Sequence, residues 1–164
     1  MKKTLGIVFA FILGIVFIYL TYTILNILVT LIREKKKDKT LIFCFSLKGK
    51  IFYIVITVLY FVMIGLGTYM FISGLKNNDV LVWLNGIVLP TLYTLLFSMQ
   101  LANIVLIGKK HMMVGRLAID YRKMKKVDFN YHNEMTFVFS QHNYKFSTRW
   151  LDIPILRRAI TRRS

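Results

Sequence analysis

Three long runs without a charge constrain this chain more than any other feature. Residues 5–32, 51–75 and 80–107 contain no Asp, Glu, Lys, Arg or His. A helix rises 1.5 Å per residue, so ~20 apolar residues cross the ~30 Å hydrocarbon core. Each run is long enough to cross once. Backbone polar groups in hydrocarbon must be satisfied within the chain, so such runs are helices. The first run follows Lys2 and Lys3, as in a signal peptide, but an h-region spans only ~7–15 residues. This run is much longer and is followed by Arg33-Glu34-Lys35-Lys36-Lys37, so it reads as an uncleaved anchor. Only Lys76-Asn77-Asn78-Asp79 separates the second and third runs, which makes them a tight antiparallel hairpin.

Charge distribution sets the expected orientation. The chain has 23 Lys and Arg against 7 Asp and Glu. Arg33, Lys35, Lys36, Lys37, Lys39, Lys48 and Lys50 fall in the first loop, Lys76 alone in the second, and 13 basic residues after Ile107. Three spans put the first loop and the tail on one side, and Lys/Arg bias makes that side cytoplasmic. The expectation is a multi-pass protein of a bacterial plasma membrane, N-terminus outside and C-terminal domain inside. Residues 39–50 carry apolar positions between basic ends and are too short to span, so they are expected along the interface. Lys35, Lys36, Lys37 and Lys39 would attract the anionic inner leaflet, by about 1 kcal/mol per charge. Cys44 lies in this segment, as a buried or interfacial residue or as a site for S-acylation.

Within the spans only uncharged polar residues remain. Tyr19, Thr23, Asn26 and Thr30 recur at helical spacing on one stripe of the first span. On the third, Asn85 and Asn103 share a face, with Gln100 nearby. The functional reading of Thr23, Asn26, Thr30, Gln100 and Asn103 is a polar groove or a docking face for a partner helix. The plain reading is hydrogen bonding within the bundle, about 0.6 kcal/mol per contact. Pro90 removes a backbone donor from the third span and is expected to kink it.

The tail changes period. Leu117, Ile119 and Tyr121 alternate with Arg116, Ala118 and Asp120, Met135, Phe137 and Phe139 alternate with Thr136, Val138 and Ser140, and Tyr144, Phe146 and Thr148 make a third set, which predicts three strands. Val127 and Phe129 extend the first or form another. Gln141-His142-Asn143 suits a hairpin turn. Asp152 is placed as an N-cap, with Pro154 early in a helix whose apolar face is Ile153, Leu156 and Ile160. Arg157, Arg158, Arg162 and Arg163 fill its polar face. The expected fold is therefore a membrane α-helical protein of three transmembrane helices with a small C-terminal α+β domain, an antiparallel sheet plus a closing helix. The expected division is residues 1–108, with the basic loop 33–50, and residues 109–164.

The order of parts, with Lys39-Thr40-Leu41, Lys48-Gly49-Lys50-Ile51 and Ile119-Asp120-Tyr121-Arg122-Lys123-Met124, resembles the YobD-like family of small bacterial membrane proteins. The family shows similar Thr-Leu, Arg-Gly-Arg-Ile and Ile-Glu-Tyr-Ser-Arg-Ile patches. It ends in a short basic sheet and helix, reminiscent of a truncated pleckstrin-homology-like domain. Where that family carries an acidic Glu-Asp-Gly turn, this chain has Tyr131-His132-Asn133-Glu134. The resemblance implies fold and location, and no catalytic residues.

Function classes separate on chemistry. His111, His132 and His142 with Asp120, Asp128, Glu134 and Asp152 show no metal-ligand spacing, and there is no nucleophile elbow or phosphate-binding glycine loop. A non-enzymatic protein without cofactor or metal is expected. Aromatic residues interleaved with basic ones can stack bases, but most of these alternate onto the core face, and topology already explains the charge. The leading expectation is an accessory or scaffold protein that lies on the anionic inner leaflet. It would bind a membrane protein partner, or a second copy, through its sheet edge or basic helix. The alternative is a small transport component or a self-protection (immunity) protein against a membrane-active peptide.

Overall fold

A computed structural model describes residues 2–130 and 133–161, with backbone alone at residues 2–5. Three helices are long and apolar enough to cross a membrane: α1 (Lys2–Lys37), α2 (Leu47–Lys76) and α3 (Val80–Ala102). The chain forms two compact units. One holds the chain through Asn26 together with Ile54–Gln100, and the other holds Ile27–Tyr53 together with residues from Leu101 onward.

In the first unit α2 and α3 form the hairpin. Asn78 takes φ 52°, the left-handed conformation that stops a helix. Its N–H donates to the Leu75 carbonyl (3.4 Å) and the Asp79 N–H to that of Gly74 (2.9 Å), so two of the last carbonyls of α2 find donors. Asp79 then starts α3, its carboxylate accepting from the Leu81 and Val82 amides at 3.0 and 3.3 Å. The helices approach closely at glycine: a Cβ on Gly67, Gly74 or Gly86 would collide with Pro90, Trp83 or Phe71 across the interface. Pro90 lies inside α3 without ending it. Tyr60 stacks on Phe97 at 4.6 Å, and the Tyr93 hydroxyl donates to the Ile56 carbonyl at 3.3 Å. Hydroxyls of Thr21, Thr23, Thr68, Thr91 and Thr94 each donate to the carbonyl four residues back.

In the second unit, strands β1 (Ile42–Phe43), β2 (Val105–Ile107), β3 (His111–Val114) and β4 (Leu117–Asp120) form an antiparallel sheet in that order. A 3-10 turn, Tyr121–Lys123, leads to a second antiparallel sheet of β5 (Lys125–Asn130), β6 (Glu134–Phe139) and β7 (His142–Ser147). Helix α4 (Ile153–Thr161) closes the chain. Its N-cap is Asp152, which accepts from the Ile155 amide at 3.2 Å. Leu156 and Ile160 reach a core with Val105, Ile107, Met112, Ile119, Met135, Phe137 and Phe146.

Four expectations change. The third apolar run divides: α3 stops at Ala102, and Val105–Ile107 is a strand buried on both faces. Such a strand is as apolar as a span, and hydropathy cannot separate them. Asn103 therefore sits in the turn after α3, not on a helical face with Asn85. Residues 39–50 are not a free-standing segment but part of the sheet and the start of α2. Leu41 and Cys44 are buried, β1 pairs with β2 in register Ile42↔Ile107 and Phe43↔Leu106, and α2 already begins at Leu47. The β6–β7 turn is Ser140-Gln141, both at positive φ, with His142 opening β7 opposite Phe139. Tyr121 begins the 3-10 turn instead of ending β4.

Candidate functional site

The second unit contains the ends of all three helices, and the chain between them is part of the sheet. Leaving α1, Asp38 turns the backbone. Its carboxylate accepts from the Thr40 amide (2.8 Å) and hydroxyl (2.6 Å), and the Lys109 amide donates to the Thr40 oxygen at 3.0 Å. His111 Nδ1 stands 3.7 Å from Asp38. The two Thr40 hydrogen bonds, with His111 and Lys110 adding positive charge, hold the Asp38 carboxyl below the ordinary carboxylate range.

Beyond β1 the chain runs between two neighbours. The Cys44 amide donates to the Val105 carbonyl on one side (3.0 Å), and the Asp152 amide donates to the Cys44 carbonyl on the other (3.2 Å). Ser46 caps α2, its Oγ accepting from the Gly49 amide at 3.0 Å. The Ser46 amide and hydroxyl both donate to the Trp150 carbonyl, at 3.1 and 3.2 Å. Gly49 is needed there, because a Cβ would run into that carbonyl. The Cys44 thiol is 1% exposed and points at the Asp152 carbonyl (3.5 Å). Burial pushes it up to about 12, an inert neutral thiol and a poor substrate for acylation.

Around this junction five rings form a chain. Phe43 stacks on Phe45 (5.5 Å), Phe45 meets Tyr53 (4.6 Å), Tyr53 meets Phe52 edge-on (5.5 Å), and Phe52 stacks on Trp150 (4.1 Å). A cation covers each end: Lys35 Nζ lies 5.0 Å from the Phe43 centroid, and the Arg149 guanidinium 5.1 Å from that of Trp150. Of these rings Tyr53 and Trp150 carry a polar group, and such rings beside cations are enriched at membrane–water interfaces. Sequence reading missed this site. Its signal was the density of Phe43, Phe45, Phe52 and Tyr53 around Lys48-Gly49-Lys50, while Trp150 and Arg149 join only through the fold.

The expected contact residues separate onto two elements. Lys35, Lys36 and Lys37 form the last turn of α1, with Lys37 paired to Glu34 at 2.6 Å, and Lys39 is exposed in the following turn. Arg157 and Arg158 are exposed on α4, Arg157 lying 5.1 Å over Phe129 of β5. Arg162 and Arg163 lie outside the described residues, as do Tyr131 and His132. Thr23, Asn26, Thr30 and Gln100 are half-buried on their helices. The β5 edge carries a bulge at Lys126 (φ 51°) between Lys125 and Asp128, and β7 carries Lys145 paired to Glu134 at 2.8 Å. Bulges and lysines of this kind discourage strand addition at the edges of this sheet. Among the described acidic and histidine side chains, His111 stands beside Asp38. Among the described residues no group of three or more His, Cys, Asp or Glu is placed to hold a metal. Comparison with protein-family models, curated proteins and solved structures finds no match for this chain.

Proposed function

We propose that the chain is a non-enzymatic accessory or scaffold protein of a bacterial plasma membrane, with its N-terminus outside and its basic domain in the cytoplasm. The domain rests on the anionic inner leaflet and presents the arginine face of α4 to a protein partner. The observation that carries this reading is the ring chain from Phe43 to Trp150 with Lys35 and Arg149 at its ends, which suits the headgroup zone. Charge agrees: 20 of the 23 basic residues belong to residues 27–53 and 101–164, against six of the seven acidic ones. Anionic headgroups attract each nearby cation by about 1 kcal/mol. The domain layout of four antiparallel strands, then three, then a closing helix supports reading it as the pleckstrin-homology-like domain that the YobD-like resemblance implies.

The test is recovery of the tagged full-length protein from its native membrane in mild detergent, with the mass of the complex and mass spectrometry of its members. A stoichiometric membrane protein partner, lost in the R157E/R158E variant, is expected. Recovery of the chain alone, or a partner retained unchanged by that variant, overturns the reading.

A further inference from the structure

A second feature lies among the spans. A cavity of about 440 Å³ is walled by Ile7, Ala10 and Phe11 of α1, Phe71, Gly74 and Leu75 of α2, and Trp83 and Ile87 of α3, with Asn78 of the hairpin loop at its mouth. A second, of about 200 Å³, continues it past Phe71 and Ile87, which both cavities share, to Ile64, Gly67 and Pro90. Together they make one slot along the helices from Gly74 to Ile64, ten residues or about 15 Å of helix. That is one leaflet of a hydrocarbon core ~30 Å thick.

We propose that this slot holds one acyl chain of a phospholipid from the leaflet on the hairpin-loop side. Its long walls are apolar, and its rim residues Ile7, Phe11 and Leu75 are more than half exposed on helices that cross the membrane. The slot is therefore continuous with the surface that faces lipid. Its loop end carries the opposite chemistry: Asn78 lines it, and the exposed loop Lys76-Asn77-Asn78-Asp79 is polar, with one charge of each sign. An amphiphile with an apolar tail and a polar head is complementary to both ends. Helices gain nothing in lipid from burying apolar surface as such, so they associate through packing. A void between them forfeits dispersion contacts. The chain in the slot supplies those contacts and acts as a structural ligand between α1 and the hairpin.

The test uses the purified full-length protein and palmitoyl-oleoyl phosphatidylglycerol. Native mass spectrometry is expected to show one lipid per chain surviving detergent that strips the rest. Ala10→Phe fills the slot and is expected to lose that lipid, whereas Ile18→Phe, on an exposed face of α1, keeps it. In the wild type, phosphatidylglycerol with a diazirine at mid-chain is expected to label Ala10, Phe71 and Trp83 above the exposed Ile18 and Leu81. This readout stands even when Ala10→Phe does not fold. No retained lipid in the wild type, equal retention in a folded Ala10→Phe, even labelling of all faces, or a lipid-free dimer would each overturn the proposal.

Discussion

Gly49→Ala is the sharpest probe of how the helices join the domain. An added Cβ falls inside the van der Waals envelope of the Trp150 carbonyl, 3.0 Å from its carbon and 3.2 Å from its Cβ. Ordinary contact begins near 3.5 Å, so the segment around Trp150 must withdraw by on the order of 1 Å. That movement breaks the two Ser46 bonds to the Trp150 carbonyl and disturbs the Phe52–Trp150 stack. Two hydrogen bonds at about 1 kcal/mol each and a ring pair at roughly 1 kcal/mol give a loss near 3 kcal/mol. The better helix propensity of Ala returns about 0.5–1 kcal/mol. The expected net cost to the junction is about 2 kcal/mol, or roughly thirtyfold faster exchange of the Ser46 and Asp152 amides. Gly65→Ala is the control, since nothing lies within 4 Å of its Cβ. Equal exchange in Gly49→Ala and wild type, with unchanged Trp150 emission in a Trp83→Phe background, would refute the reasoning.

Cys44 gives a pH test. The unfolded thiol ionises near 9.0 and the folded one only near 12, so the unfolded state binds fewer protons in between. Stability is therefore expected to fall more steeply from pH 9 upward in the wild type than in Cys44→Ala, as compared by denaturant melts. Maleimide is expected to label Cys44 only after unfolding. At the hairpin, Asn78→Gly is expected to be neutral in thermal melts. Asn78→Val is expected to lose about 1–2 kcal/mol, because a β-branched residue is forced to positive φ. Asp38 has a lowered carboxyl, so its contribution is present above the ordinary carboxylate range and disappears as pH falls through its folded value. Asp38→Asn is expected to speed exchange at the Thr40 amide at neutral pH and to match the wild type in acid.

The three spans, the strands at Met135–Phe139 and Tyr144–Phe146, and the Asp152 cap were legible because each writes a full period or a local hydrogen bond into the sequence. β2 was not, because Val105-Leu106-Ile107 is buried on both faces and prolongs an apolar run. β1 has two residues, too few to alternate. The β6–β7 turn places Ser140 and Gln141 at positive φ, where Asn-Gly would have announced it. The ring chain went unread: four rings cluster around Lys48-Gly49-Lys50, but Trp150 is about a hundred residues away. Its place depends on one glycine and one serine.

β1 lies before α2 and β2 after α3, yet Ile42 pairs with Ile107. The whole hairpin is thus the connection between two adjacent strands. During synthesis the β1–β2 ladder cannot close until both hairpin helices have been made. A nascent chain that fails this step keeps the apolar Val105–Ile107 strand without β1 on one edge, an unpaired edge of the kind that favours aggregation. Formation of the β1–β2 ladder is in this sense a receipt for a completed hairpin, issued by the architecture itself.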